Sequence, residues 1–401
     1  MKQINWRGAR LTGLAVAVSL SVALAACSAG PGADANNGVI EIPIGASVEV
    51  TGGASILGTE WKRGIELAID AANGDGGFTV DGKQYRWKLE LKDNQSLPDQ
   101  AIANYREFVG AGMNFILGPN LSTALPPAFN SLGGASPFIL TPANGTSLLE
   151  TPGAENLFMT HLADVGPEGR VAKMVQILVD KYQPKKVAIL LPQDAPGELY
   201  TSTFGESFAK AGVEIVYSEA FPADTRDFAS YITAMKATTP ELVLSGYLDT
   251  WMTPLLTQAE GAGFITPVFV GAPGTNVTSL QPGSKIKNFA WSITTRAVNN
   301  TEDSTVQGYR DAYQAKFGAA PGATGFWGLS YYDPILLLTE ALVRAGSVDD
   351  LKAINEAFLS INDWKGGVLN ERFDSTSHRA VYGAQVGFFE NGVTTYVEAK
   401  G

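Results

Sequence analysis

The sequence predicts an α/β fold built as two doubly wound lobes, and three observations lead there. Roughly 365 of the 401 residues follow a basic-apolar start and a short polar stretch, more than one hydrophobic core usually accommodates. Short apolar runs of strand length alternate with amphipathic runs of helix length, the pattern of βαβ units around a parallel sheet. The alternation falls into two series, with a break near Leu162. No direct sequence repeat links them, so the duplication is one of architecture.

The first series opens with a strand over 39–44 (VIEIPI), a loop over 45–58 and a helix over 59–73. In that helix Trp61, Ile65, Ala68 and Ala72 share one face at spacings of three and four. Asn73-Gly74 reads as its C-cap, and residues 73–77 (NGDGG) lack the alternating acids and terminal Glu of a calcium loop. Asp81-Gly82 turns a short strand into the alternating strand 85–92, whose Trp87, Leu89 and Leu91 lie on one face. A helix over 98–111, a strand over 114–117, a helix over 123–132 and a strand over 137–140 follow. The second series runs as helix 167–181, strand 186–191, helix 198–211, strand 213–217, helix 226–237, strand 241–244, helix 250–261 and strand 267–270. Ligands of open α/β sheets bind beyond the carboxyl ends of strands. The loops after Ile44, Leu117, Leu140, Leu191, Leu244 and Val270 are therefore the ones to inspect.

Residues 1–26 read as a secretory signal: Lys2, Arg7 and Arg10 form a basic start, residues 11–26 carry no charge, and small residues precede Cys27, the only cysteine. Leu24-Ala25-Ala26-Cys27 resembles the lipobox of a bacterial lipoprotein. That resemblance implies that Cys27 becomes the mature N-terminus, carries acyl chains and holds the protein at the outer side of the cell membrane. Each buried acyl methylene contributes about 0.8 kcal/mol, so two or more chains suffice. The competing reading, an uncleaved anchor, has an apolar run shorter than the roughly 20 residues that span a bilayer. Residues 27–37 read as a tether. Of 29 basic and 40 acidic residues, removal of Lys2, Arg7 and Arg10 leaves 26 against 40, a net charge of −14. This balance argues against nucleic acid and against a polybasic hold on anionic lipid.

Catalytic material is scarce. Only His161 and His378 are present, and no His-Glu-x-x-His, Cys-x-x-Cys, Gly-x-Ser-x-Gly or Walker sequence occurs, so no enzyme activity, metal or cofactor is expected. His161 reads as a structural residue and His378 as a surface-loop residue. Asp349-Asp350 reads as a helix start, where carboxylates suit the macrodipole, rather than as a glycosidase pair. Trp251 and Trp327 are open to two uses, stacking on a ligand or filling the core.

Two strand-end loops stand out. Residues 118–123 (GPNLST) place Ser122 and Thr123 at an expected helix N-terminus, where hydroxyls and free N–H groups suit a carboxylate. Residues 141–146 (TPANGT) form a similar small, hydroxyl-bearing loop after the next strand. The alternative for Ser122 is that it caps its own helix.

At these residues the chain resembles a type I periplasmic substrate-binding protein of the branched-chain amino acid family, the receptors of ABC importers. The landmarks are Gly45 with Gly52-Gly53, the run Gly64-Ile65-Glu66-Leu67-Ala68 ending in Asn73, Ile116-Leu117-Gly118-Pro119, Thr141-Pro142-Ala143, and Tyr332-Asp333 before a long apolar helix. The resemblance implies two Rossmann-like lobes joined by three crossings, with the ligand enclosed as they close. Lobe one would hold residues 38–162 and 294–378, and lobe two residues 163–293 and 379–401. Carried over by position, the groups around the ligand α-carboxylate are Ser122, Ala143 and, with a one-residue insertion, Thr146; Thr123 and Asn144 in the same two loops are expected at the ligand as well. Lobe two departs from the family pattern: Pro196 stands where amino-acid receptors have a Tyr, and Pro273 where they have an acid for the ligand ammonium. An ammonium buried without a counter-charge costs several kcal/mol. The amine must therefore meet Asp249 or Asp194, remain wet, or be absent, with Tyr247 as a lid aromatic and Trp327 as a further aromatic contact. The expected function is a monomeric, lipid-anchored receptor delivering a small carboxylate-bearing metabolite to an ABC permease and ATPase. The alternatives are a lipoprotein reporting ligand occupancy to a membrane sensor and, disfavoured by the missing motifs, an anchored hydrolase.

Overall fold

The computed structural model describes residues 38–143, 148–150, 153–162, 169–246, 249–271, 284–286, 288–293, 304–321, 325–368, 372–381 and 384–399. The chain begins with β1 (Ile40–Val48), α1 (Ser55–Asn73), the hairpin β2 (Phe78–Val80) and β3 (Lys83–Asp93), then α2 (Pro98–Gly110), β4 (Phe115–Leu117), α3 (Leu125–Asn130), β5 (Phe138–Thr141) and β6 (Leu157–Leu162). It continues through α4 (Arg170–Tyr182), β7 (Lys186–Pro192), α5 (Ala195–Lys210), β8 (Glu214–Phe221), α6 (Ala229–Thr238), β9 (Leu242–Ser245), α7 (Asp249–Gly261), β10 (Val268–Val270) and β11 (Asn288–Ile293). Helices α8 (Ser304–Phe317), α9 (Leu329–Ala345) and α10 (Leu351–Ser360) precede the short strands β12 (Arg372–Phe373) and β13 (Arg379–Val381), and β14 (Ala384–Glu390) and β15 (Val393–Ala399) end the fold.

The described strands form two sheets, ordered β12-β13-β6-β5-β4-β1-β3-β2 and β15-β14-β11-β10-β9-β7-β8. The central pairings are parallel in both, and antiparallel strands lie towards the edges. Each sheet is packed on both faces, so its central strands, such as β4, β5, β9 and β10, are buried on both sides. In the first sheet Phe115 and Leu117 point into one core with α1, α8, α9 and α10, and Ile116 points into the other with α2 and α3. Across β4, β5 and β6 the rings of Phe115, Phe138 and Phe158 form a ladder, and Phe358 of α10 closes on it with centroids 5.1 and 4.9 Å from Phe138 and Phe158. Rings buried this completely contribute about 1.5–3 kcal/mol each. This α/β architecture of two doubly wound lobes is the one expected.

Several elements differ in extent. The first strand runs on to Val48, where a loop was expected from Gly45. Residues 45–48 are buried, and a Cβ at Gly45 would lie 2.7 Å from the Phe108 ring, so that glycine admits a neighbouring helix rather than starting a loop. Strand β6 occupies the stretch before Leu162 where only a break was expected. Residues 379–381, expected in lobe two, pair with β6 in the first sheet. The predicted face of α1 holds: Trp61, Ile65, Ala68 and Ala72 are all buried. Its end is fixed by Asn73, whose amide accepts from the Trp87 N–H and donates to the Trp87 carbonyl. His378 is only partly exposed and stacks on Phe158 at 4.8 Å, which corrects its reading as a surface-loop residue. Asp350 accepts from the Ala353 N–H as the N-cap of α10, as its helix-start pattern implied.

Candidate functional site

Strand order reverses around β1 in the first sheet, between β3 and β4, and around β7 in the second, between β8 and β9. These are the switch points at which an open α/β sheet leaves a crevice. The crevice of the first sheet is framed by the residues after β1 and by residues 118–123 after β4.

The second of these loops is held from several sides. Gly118 has φ +75°, and a Cβ there would lie 2.2 Å from the Ser47 carbonyl oxygen, so the close approach to β1 requires glycine. The Tyr105 hydroxyl donates to the Gly118 carbonyl. Asn120 is buried; its N–H donates to Glu49 at 3.1 Å, its Nδ2 donates to the same carboxylate, and its Oδ1 accepts from the Tyr331 hydroxyl. Burial first, and then the Glu49 carboxylate, push the phenols of Tyr105 and Tyr331 well up, so both remain protonated donors. Thr141 Oγ1 donates to the Pro119 carbonyl at 2.6 Å and accepts from the Ala143 N–H at 3.1 Å, joining the two strand-end loops.

Within this fixed frame Ser122 is half-buried and Thr123 exposed, and among the described residues neither hydroxyl has a hydrogen-bond partner. Ser122 is not a helix cap: α3 starts at Leu125, and its N-cap is Ala124, which offers no side-chain acceptor. Nor does the helix supply the free donors expected of it. The N–H groups of Ala124 and Leu125 go to the Leu121 carbonyl, and Pro126 and Pro127 have none. An anion held here would meet the Ser122 and Thr123 hydroxyls and the main-chain N–H groups of the same two residues, which have no acceptor among the described residues. Ala143 is fully buried, and because its N–H is taken by Thr141 it offers a carbonyl, an acceptor. Asn144 and Thr146 lie outside the described residues.

The second lobe is less complete. Asp194 is the N-cap of α5, with Oδ1 accepting from the Gly197 N–H at 2.7 Å, so one of its oxygens is already committed. The helix begins earlier than expected, and Pro196 falls in its first turn. Asp249 opens α7, while its side chain, Tyr247 and Pro273 lie outside the described residues. Trp327 is half-buried in a 3₁₀ turn just before α9, edge-on to Trp61 at 6.0 Å. Trp251 belongs to the core: its Nε1 donates to the Ala223 carbonyl at 2.8 Å and its ring meets Phe221. Cys27 and the His161 side chain are outside the described residues.

Sequence reasoning missed Glu49, Asn94, Tyr331 and Arg170. Arg170, the first residue of α4, is almost wholly buried and donates to Ser292 Oγ at 2.6 Å and to the Tyr200 hydroxyl at 3.0 Å, tying α4 to the end of β11 and to α5. No motif marks these residues; for Glu49 and Asn94 a polar residue directly after a strand was the available signal, and Tyr331 and Arg170, on α9 and α4, carried none.

A profile of the periplasmic binding protein family matches residues 41–392. The chain belongs to that family. Among curated relatives of this periplasmic binding protein are the Leu/Ile/Val-binding protein homolog 3 of Brucella melitensis, 26% identical over 79% of this chain and 83% of that one, and the leucine-, isoleucine-, valine-, threonine- and alanine-binding protein of Pseudomonas aeruginosa, 26% identical over 83% and 86%. Solved structures show the same fold. The branched-chain amino acid transporter substrate-binding protein LivJ of Streptococcus pneumoniae, in complex with isoleucine, has TM-score 0.66 at 22% identity, covering 90% of this chain and 100% of that one. An ABC transporter solute-binding protein of Rhodopseudomonas palustris, in complex with 3,4-dihydroxybenzoic acid, has TM-score 0.66 at 22% identity, covering 90% and 98%. The two solved structures are of transporter binding proteins, and membership of the family makes this chain a periplasmic binding protein.

Proposed function

We propose that this protein is a monomeric, lipid-anchored receptor outside the cytoplasmic membrane that encloses a small carboxylate-bearing metabolite between its two lobes and delivers it to an ABC permease and ATPase. The observation that carries this reading is the pair of unpartnered hydroxyls, Ser122 and Thr123, on a rigidly held loop at the switch point of the first sheet. Hydroxyl donors presented there without competing internal bonds fit a ligand carboxylate. Closure follows because donors from both lobes reach the ligand only in the closed form, so the ligand shifts the population towards it. The anchor is Cys27, and residues 27–37 give the domain a reach of up to about 40 Å when extended.

The relatives share a carboxylate in what their names and bound ligands describe, isoleucine in one and 3,4-dihydroxybenzoic acid in another, and differ in the ammonium. In this chain the Ala143 carbonyl is one acceptor for an ammonium, and Asp249 is the acid left once Asp194 caps α5. The test is a thermal-shift panel of leucine, isoleucine, their des-amino acids and amides, benzoate and 4-hydroxybenzoate. A ligand at about 100 times its Kd adds roughly 2.7 kcal/mol to the folded state. Carboxylates should shift the transition and amides should not. If amino acids win, Asp249→Ala should abolish the shift; if acids without the amine win, Asp249→Ala and Asp194→Ala should bind normally. A panel in which amides bind as well as acids would overturn the carboxylate reading.

A further inference from the structure

Glu49 follows β1 directly, at the switch point, and is fully buried. Among the described residues no lysine, arginine or histidine pairs with it. Its carboxylate is surrounded by neutral donors instead: Asn94 Nδ2 at 3.0 Å, the Asn120 N–H at 3.1 Å, both to Oε1, and Asn120 Nδ2 to Oε2. A carboxylate removed from water is costly unless its lone pairs are filled, so these three bonds are what makes the position tenable. The surroundings are built to it. A Cβ at Gly58 would lie 1.8 Å from the Glu49 carbonyl oxygen, and Asn94 continues the polar cluster to Ser47 and Asn104 of α2.

The consequence falls on Asn120. Its amide has an acceptor-only group on the Nδ2 side and the Tyr331 hydroxyl donating on the Oδ1 side, while Glu49 also grips its main-chain N–H. Main chain and side chain are thus fixed together, two residues before Ser122. We propose that Glu49 is a positioning residue of the ligand site: by clamping Asn120 it sets the course of residues 118–123 and the direction of the Ser122 hydroxyl. This rests on reading Ser122 as a ligand contact. A hydroxyl presented by a preordered loop does not have to be ordered on binding, which is where affinity is gained.

The clamp has a polarity that can be exchanged. Asn120→Asp sets two carboxylates against each other. Glu49→Gln brings two NH2 groups face to face, or flips the Asn120 amide and places its Nδ2 against the Tyr331 hydroxyl. The double variant E49Q/N120D restores the pattern with the roles reversed: the amide now at position 49 donates to one oxygen of the carboxylate now at position 120, and the other oxygen accepts from Tyr331. Isoleucine and 4-hydroxybenzoate serve as probes in titration calorimetry on the full-length chain, with hydrogen exchange over residues 118–125 measured in parallel without added ligand. Each single variant should weaken the probe that wild type binds by about tenfold or more and speed exchange in this segment, and the double variant should return both to within about threefold of wild type. In a Ser122→Ala background, Glu49→Gln should add less than about threefold. Single variants that bind and exchange like wild type would overturn the proposal, as would a folded double variant that recovers neither. If wild type binds neither probe, isoleucine and 4-hydroxybenzoate are excluded as ligands, and the exchange measurement alone decides the role of Glu49.

Discussion

Replacing Ser122 by Ala separates a ligand-binding hydroxyl from a structural one, and the two roles predict different numbers. A side chain capping a helix costs about 1 kcal/mol when truncated to Ala. Ser122 caps nothing, since the N-cap of α3 is Ala124, and its hydroxyl has no partner among the described residues. Loss of that hydroxyl should therefore leave the stability of the ligand-free protein within about 0.5 kcal/mol of wild type, as for an uninvolved surface substitution. A hydrogen bond to a charged ligand group is worth about 1.5–3 kcal/mol, or roughly a tenfold to 150-fold change in Kd at 1.4 kcal/mol per decade. At a ligand concentration 100 times the wild-type Kd, wild type gains about 2.7 kcal/mol. A variant weakened about thirtyfold gains only about 0.9 kcal/mol under the same conditions. Native mass spectrometry of the purified protein identifies a retained carboxylate, calorimetry gives the two affinities, and urea melts with and without ligand give the two stabilities. Equal affinity in wild type and variant, or a loss of ligand-free stability of about 1 kcal/mol with affinity unchanged, would refute the reasoning.

Three further expectations concern the anchor, a loop glycine and two buried phenols. Cys27→Ala should leave an unlipidated protein that retains residues 1–26 and no longer partitions with membranes, and a globomycin-type inhibitor should give the same precursor; an unchanged mature mass would refute lipidation. Gly118→Ala should cost about 3 kcal/mol or more in a urea melt, because its Cβ would lie 2.2 Å from Ser47 O at φ +75°, whereas Gly133→Ala, at φ +60° with nothing within 4 Å, should cost about 1 kcal/mol. Burial, reinforced by Glu60 and Asp333 respectively, pushes the Tyr313 and Tyr332 phenols up to about 12. Their folded pKa lies above the unfolded value of 10, so their contribution to stability is fully present below pH 10 and is lost as pH rises from 10 towards 12. Tyrosinate absorbance of the folded protein at pH 11 should therefore lag that of the urea-unfolded chain, and coincident titrations would contradict the burial of these rings.

The sequence by itself determined the α/β class and the two-lobed plan, and it singled out the loop after Leu117 for the site proposed here, because periodicity, glycine placement and strand-end chemistry are local properties that a short window preserves. The buried face of α1 and the N-cap at Asp350 were legible for the same reason. What only the tertiary structure decided depends on groups far apart in the chain. Gly45 reads as a loop until Phe108, on another element, is seen packing against it, and this carries β1 on to Val48. With the strand end moved four residues along, Glu49 passes from an ordinary loop acid to a buried carboxylate at the crevice. Its partners, Asn94, Asn120 and, through Asn120, Tyr331 of α9, come from three further segments. Asp194 likewise reads as a free acid until its own helix is seen to start at Ala195. Residues 379–381 join the first sheet because β6, unmarked by any alternation, is there to pair with them. Local pattern specifies which segments become strands and helices; the burial of a charge and the availability of a hydroxyl are set by neighbours that only the completed packing brings together.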